Sequence, residues 1–179
     1  MEQRMEEQSL VKAVLKGDSK AQQLMFEKYA PEMMTICNRY SNSPDQAADM
    51  LQEGFITVFQ KLSQFKSTGS LAGWIRKIMV NSSLNLLRKE KKFAFSEDVS
   101  TATGVESKFT DAVSELSFQE ITALIQKMPA GYRTVFNLYA IEGYSHKEIA
   151  EKLKVTESTS KTQYRKSKIY LQKLLEENE

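Results

Sequence analysis

Lys161, Thr162, Arg165 and Lys166 recur at helical spacing late in the chain. Residues of these types read duplex DNA, because lysine and arginine meet phosphates and guanine edges while hydroxyls serve either. Ser158 and Thr159 stand just before them on the same expected helix. An earlier set consists of Lys66, Ser67 and Thr68 in a polar loop, then Trp74, Lys77, Asn81 and Arg88. Cations, amides and an aromatic ring suit an unstacked single strand, with phosphates on Lys and Arg and a base on Trp or in a loop pocket. For Trp74 taken by itself, a core role is the favoured reading, with the charges solvated. A further set is acidic: Asp45, Asp49 and Glu53 follow one another at helical spacing with no cation between them, which suits a basic partner. Catalysis finds no comparable support. His146 and Cys37 are the chain's single histidine and single cysteine, and neither belongs to a cluster with metal-ligand or nucleophile–base spacing. No catalytic residue, metal or cofactor is expected, and His146 reads as a surface residue of a helix's first turn.

The elements that position these groups are helices. Straight-chain helix formers dominate, with only 7 Gly and 3 Pro, and hydrophobic residues at 41% supply a core. The expected fold class is all-α, with two small helical domains joined by a flexible acidic linker and a helix-turn-helix in the second. The boundaries fall at 1–92, 93–115 and 116–179. In the first domain, Leu10, Val14 and Leu15 share a face, and Gly17-Asp18 ends their helix. Ser19 can cap the next helix, along which Leu24, Met25, Met33, Ile36 and Tyr40 continue the pattern, with a kink or break at Pro31. Ser43 or Asp45 can cap a helix over 46–62, whose stripe is Ala48, Leu51, Phe55, Val58, Phe59 and Leu62. After the loop 65–70, a helix from about Leu71 to Lys92 turns Ile75, Ile78, Met79, Ser82 and Leu86 to the bundle. Lys77, Asn81, Arg88 and either Asn85 or Leu84 then point outward.

The linker is rich in Ser, Thr and acids and poor in large apolar residues. Periodicity resumes with Phe118, Ile121, Leu124, Ile125 and Met128, and Pro129-Ala130-Gly131 separates that helix from one over 132–141. Ser145 can then cap a short helix ending at Leu153, with Glu148 completing a capping box. A three-residue turn, Lys154-Val155-Thr156, follows, and Thr156 caps a longer helix. On that helix Ser160, Tyr164, Ser167, Leu171 and Leu174 share one side, opposite Lys161, Thr162, Arg165, Lys166 and Lys168. A short helix, a tight turn and a basic-faced helix form the helix-turn-helix pattern. Ala150 suits the close crossing and Val155 the gap under the turn, and Lys, Thr, Gln163 and Arg can reach the major groove. Lys154 occupies a position easiest for glycine, and Ser160 is polar on the packing side. An αα-hairpin with a solvated basic face would look similar.

The net charge of +2 is small, but its distribution alternates. Basic residues concentrate over 76–92 and 161–168, and acidic ones over 97–120. This suggests two contact surfaces for an anionic polymer. One cysteine cannot form an intrachain disulfide. It lies in an apolar run and reads as a small buried hydrophobe. The amino terminus lacks a signal-peptide core and no apolar run reaches membrane length, so a cytoplasmic protein is expected.

The strings Asp49-Met50-Leu51-Gln52-Glu53-Gly54-Phe55, Gly73-Trp74-Ile75-Arg76-Lys77-Ile78-Met79-Val80-Asn81 and Leu87-Arg88 resemble the second conserved region of extracytoplasmic-function sigma factors. The stretch from Glu142-Gly143-Tyr144-Ser145 to Ser158-Thr159-Ser160-Lys161-Thr162-Gln163 resembles their fourth region, and Leu10 to Asp18 their opening. Both domains are covered in the family's order, which is more specific than either motif alone. The resemblance implies a sigma factor, not an enzyme. In it, Asp49, Gln52, Glu53 and Phe55 would bind the clamp helices of the large subunit of core RNA polymerase. Lys66, Ser67, Thr68, Trp74, Lys77, Asn81 and Arg88 would recognise and open the promoter −10 element. Ser158, Thr159, Lys161, Thr162, Arg165 and Lys166 would read the −35 element as duplex. The acidic linker would thread toward the RNA exit path. An anti-sigma factor is an expected partner, and the free protein is expected to be a monomer. A free-standing DNA-binding regulator would explain the helix-turn-helix but would leave the Asp49–Phe55 surface and the Trp74 loop without a role. Such regulators commonly dimerise, and no heptad run is evident here.

Overall fold

The computed structural model describes residues 2–89 and 118–177, with side chains described over 6–89 and 120–177. The expected acidic linker, 93–115, lies outside the described residues. The chain divides into two compact units, Met1–Glu90 and Lys91–Glu179. The described elements are helical in both, as the composition requires.

The amino-terminal unit contains α1 (Glu2–Leu15), α2 (Ser19–Tyr40), α3 (Pro44–Lys61), a 3₁₀ turn (Leu62–Gln64) and α4 (Leu71–Lys89). Gly17 ends α1 at φ 84°, a conformation in which a Cβ would be strained. The Gly17 N–H donates to the Val14 carbonyl (2.9 Å) and the Asp18 N–H to the Ala13 carbonyl (3.2 Å), a Schellman closure. Asp18, not Ser19, then caps α2, accepting from the backbone N–H groups of Lys20 (2.9 Å) and Ala21 (3.1 Å). A carboxylate suits the positive end of the helix dipole, and Ser19 becomes the first helical residue. Ser43 caps α3 by accepting from the Gln46 N–H at 3.2 Å, and Pro44 takes the first turn, where its missing N–H costs little.

Pro31 does not break α2, which runs on to Tyr40. Proline at a helix interior costs about 3 kcal/mol. Tyr29 before it, and Met33, Ile36 and Tyr40 after it, are all buried, and their packing offsets that cost.

α2, α3 and α4 pack on one another, and the buried stripes are rotated from those read along the sequence. In α1 Val11 and Val14 are buried while Leu15 is 51% exposed, and in α2 Leu24 is 58% exposed. In α3 Ala47, Met50 and Gly54 are inside, whereas Ala48 is exposed. In α4 the core face is Leu71, Ile75, Met79, Val80, Ser83, Leu84 and Leu87, with Ile78, Ser82 and Leu86 half-buried. Apolar runs such as Ile78-Met79-Val80 fit more than one face, and the packing partner selects among them. At Gly54 a Cβ would overlap the Met79 thioether, so α3 and α4 approach closely there.

The carboxy-terminal unit contains α5 (Phe118–Lys127), α6 (Ala130–Phe136), a π-helical turn (Asn137–Ile141), α7 (His146–Leu153) and α8 (Glu157–Glu176). Leu124, Ile125, Met128, Phe136 and Leu171 form its core, with Ile121, Tyr164 and Leu174 packed against them. The side chain of Phe118, expected on this stripe, lies outside those described. The helix expected over 132–141 widens at its end. The Glu142 N–H reaches back to the Asn137 carbonyl (2.9 Å) and the Tyr144 N–H to Leu138 (2.9 Å), with Gly143 turning the chain at φ 75°.

Candidate nucleic-acid interface

The short helix α7 begins with a complete capping box. The Glu148 N–H donates to Ser145 Oγ, and the Ser145 N–H donates to Glu148 Oε2 at 2.8 Å. The Ser145 hydroxyl, donating to Glu148 Oε2 at 2.7 Å, and then the Ser145 N–H hold the Glu148 carboxyl below its ordinary range. At the other end Lys154 adopts φ 57°, ψ 44°, the left-handed conformation that closes α7, and the Val155 N–H donates to the Ala150 carbonyl at 3.1 Å. Thr156 then caps α8 by accepting from the Thr159 N–H at 3.0 Å. The two helices are thus joined by a turn whose ends are both satisfied, and Ile149 and Leu153 of α7 are buried. Ala150 and Val155 are only half-buried.

Lys154 carries strain that glycine would not. A left-handed residue with a Cβ costs roughly 1 kcal/mol, partly offset by the unfolded chain's preference for a restricted residue. Lys154→Gly is expected to stabilise the carboxy-terminal unit by about 0.5–1 kcal/mol, seen as a rise of a few degrees in its thermal midpoint. A lower midpoint would contradict this reading of the turn.

α8 has two faces. Ser160, Gln163, Ser167 and Leu171 are buried. Ser158, Lys161, Thr162 and Arg165 are exposed, with Thr159 and Lys166 half-buried beside them. The exposed group forms one patch on the first turns of α8. Gln163, which the spacing placed among groove-reading residues, is instead 3% exposed and faces the unit's interior. Lys161 pairs with Glu157 at 2.8 Å, an exposed contact worth little to stability and readily exchanged for a phosphate.

In the amino-terminal unit the loop between the 3₁₀ turn and α4 has Ser67 at φ 54°. Ser70 Oγ accepts from the Gly73 N–H at 3.1 Å at the start of α4. The Trp74 ring lies 5.5 Å from that of Phe65, inclined by 51°. Trp74 is half-buried, neither core nor free surface. Together with Lys66, Thr68, Gly69 and Lys77 these rings line a recess of ≈ 440 Å³. Lys66, Thr68 and Lys77 are exposed at it. Asn81 and Arg88 lie farther along α4, and Arg88 Nη1 donates to Asn85 Oδ1 at 3.0 Å. Leu84 is buried, so Asn85 is the outward residue.

Asp45, Asp49, Gln52 and Glu53 are all exposed on α3. Phe55, grouped with them by the motif, is 3% exposed and packs on Phe26 (ring centroids 4.7 Å apart) and Phe59 (6.0 Å). Its ring holds α3 in the bundle, and any part it takes in binding is through the helix's placement.

Comparison with known proteins matches these two units separately. The Sigma-70 region 2 family matches residues 25–93, and the Sigma-70 region 4 family matches residues 118–171. The chain belongs to the sigma-70 family, among its extracytoplasmic-function members. It is 29% identical over 161 residues to the ECF RNA polymerase sigma-E factor of Escherichia coli, with 84% of each chain covered. It is 26% identical over 156 residues to the RNA polymerase sigma-H factor of Pseudomonas aeruginosa, with 81% of each covered. Among solved structures it resembles the sigma factor RpoE of Bartonella quintana bound to the anti-sigma factor NepR. That likeness has TM-score 0.52 and 19% identity, covering 86% of this chain and 96% of that one. It also resembles CnrH in complex with the cytosolic domain of CnrY, with TM-score 0.50 and 17% identity over 95% and 97% of the two chains. These structural likenesses concern the fold.

In this sigma factor no helix among the described residues is long and apolar enough to cross a membrane. Cys37 is fully buried, and burial pushes its thiol up to about 12, so it packs as a hydrophobe. Sequence reasoning missed the role of His146. The residue is half-buried, its ring stacks on Tyr139 (4.3 Å, 14°), and its Nδ1 lies 3.0 Å from Ser160 Oγ. The one available signal was Ser160 itself, a polar residue on the packing side that needed a partner.

Burial first, and then Lys161, lower the His146 pKa from 6.5, with Glu157 opposing. A base whose folded pKa is depressed favours the neutral folded state. Its contribution is therefore fully present above pH 6.5 and is lost as pH falls below that value toward the folded pKa. The carboxy-terminal unit is expected to lose stability on acidification through this range, and His146→Phe, which cannot titrate, to flatten the dependence. An identical profile in wild type and variant, followed by thermal melts, would contradict it.

Proposed function

We propose that this sigma factor binds core RNA polymerase through α3 and reads promoters with two separate surfaces. Asp49, Gln52 and Glu53 meet the basic clamp helices of the polymerase large subunit, with Asp45 extending the same edge. Lys66, Ser67, Thr68, Trp74 and Lys77 hold the opened strand of the −10 element, and Asn81 and Arg88 follow its backbone. Extruding a base costs a few kcal/mol, and stacking of about 1–3 kcal/mol per base together with phosphate contacts offsets that cost. Ser158, Thr159, Lys161, Thr162, Arg165 and Lys166 read the −35 element in the major groove. The observation carrying the proposal is the exposed polar and basic patch on the first turns of α8, presented by a capped helix-turn-helix. The free protein is a cytoplasmic monomer in this reading. An anti-sigma factor controls it, by analogy with the solved RpoE–NepR complex.

Run-off transcription with purified protein, core polymerase and a pool of genomic promoters from the same source tests the proposal. Discrete new transcripts dependent on the protein are expected. No transcript, together with failure to co-elute with core enzyme, would favour a free-standing DNA-binding regulator. For the −35 surface, neutralising roughly four phosphates predicts that log affinity falls against log salt with slope about −4. Lys161→Ala and Arg165→Ala should each flatten that slope by about 1 while polymerase binding persists. Unchanged slopes in both variants would remove these residues from the interface.

A further inference from the structure

Ser160 is fully buried in the first turns of α8, among the residues proposed to meet DNA. A buried hydroxyl costs free energy unless it finds a partner. Its own backbone N–H is spent on the Thr156 carbonyl, and its Oγ meets Nδ1 of His146, the first residue of α7, at 3.0 Å. The His146 ring is itself held. Tyr139 stacks on it at 4.3 Å and Tyr164 of α8 lies 5.9 Å away. Tyr139 also meets Tyr164 at 4.4 Å.

Tyr139 stands in the π-helical turn, where each hydrogen-bonded turn takes one residue more than in an α-helix. That wider turn places Tyr139 beside both His146 and Tyr164. Three elements, the π turn, α7 and α8, therefore converge on one imidazole. The charged groups facing it are Lys161 and Glu157 of α8, with Lys147 adjacent on α7.

We infer that His146 is the positioning residue of the −35 reader: through its Nδ1–Ser160 hydrogen bond, backed by Tyr139, it fixes where the first turns of α8 present Ser158, Lys161 and Thr162 to the groove. The inference rests on the −35 reading of α8. Ile149 and Leu153 bury apolar side chains from α7, and apolar contact tolerates sliding. A hydrogen bond at 3.0 Å does not, because its strength falls steeply with distance and angle. Displacement of about 1 Å at the helix start is enough to spoil base-edge hydrogen bonds while leaving phosphate attraction intact. Sequence discrimination is thus the quantity His146 governs, more than affinity for DNA in general.

The test uses the full chain in holoenzyme with core polymerase, on duplex promoters carrying the intact or a scrambled −35 element. The variants are His146→Ala, His146→Asn, His146→Phe, Ser160→Ala and the double His146→Ala/Ser160→Ala. Wild type should prefer the intact element. His146→Ala and Ser160→Ala should each reduce that preference by about tenfold, and the double variant no further, as for two residues sharing one interaction. His146→Asn, whose amide can occupy the place of Nδ1, should restore most of the preference. His146→Phe, which keeps the stack on Tyr139 but not the hydrogen bond, should melt above His146→Ala yet discriminate as poorly. Additive losses in the double variant, or discrimination that follows the melting temperature across Asn and Phe alike, would overturn the positioning role and leave the −35 reading standing. A wild-type holoenzyme indifferent to the −35 sequence would overturn both.

Discussion

Arg133→Ala is expected to unfold the carboxy-terminal unit while the amino-terminal unit stays folded and continues to bind core polymerase. Arg133 is 1% exposed, and its Nη1 donates to the Gln126 carbonyl at 2.9 Å. That carbonyl lies in the last turn of α5, where carbonyls lack intrahelical partners and the helix dipole is negative. Burial pushes the guanidinium down to about 10, so it remains charged at neutral pH. Alanine would leave a cavity where the buried side chain sat and take this donor from the Gln126 carbonyl, a cost of about 3 kcal/mol or more. A unit this small has only a few kcal/mol to lose. Lysine should rescue partially, since it keeps the charge but lacks the planar fork. Amide NMR spectra of the full chain would show resonances of α5 to α8 collapsing toward random-coil positions while those of α1 to α4 persist. A dispersed spectrum for both units with an unchanged melt would mean that the buried guanidinium is not what ties α5 to α6.

Reversing both lysines of the recess, Lys66→Glu with Lys77→Glu, is expected to lower open-complex formation by about a hundredfold while closed-complex binding falls far less. Both side chains are exposed beside the Phe65–Trp74 ring pair, so the substitutions leave the core untouched. In the proposed function they face phosphates of an opened strand, and each reversal turns an attraction into a repulsion. Permanganate footprinting reports the opened strand directly, and filter binding at low salt reports the closed complex. Equal losses in both assays would move the lysines from strand opening to general attraction for DNA. No loss in either would remove the recess from the promoter interface. Run-off transcription from a template already mismatched across the −10 element gives an internal control, because pre-opened DNA should recover most of the deficit.

Much of this fold was legible along the chain because its signals are local. Ser145 with Glu148, Ser43, Thr156 and the Gly17 stop act over three or four residues, and each does in the structure what its side chain or missing side chain permits. The alternation of buried and exposed residues on α8 followed from spacing, apart from Gln163. The stripes of α1, α3 and α4 were misjudged by about one residue where apolar residues adjoin, as at Ala47-Ala48 and Ile78-Met79-Val80. There a single helix satisfies more than one face, and only its neighbours decide. Asp18 displaced Ser19 as a cap for a related reason, since both can accept the same bonds and the Schellman closure of α1 chose between them.

Residue type and order, acting at short range, determined the helical class, the caps and turns, the acidic edge of α3 and the basic face of α8. The tertiary structure alone decided which buried polar groups find one another. Arg133 closes the end of α5, His146 meets Ser160 across the helix-turn-helix, and the π turn swings Tyr139 against His146 and Tyr164. Phe55 turned inward and Trp74 half-open against Phe65 are decisions of the same kind. Such contacts join residues from separate elements, and their worth depends on burial, which removes water as the competing partner. No local spacing encodes that exclusion of water, so these pairings emerge only when the helices pack.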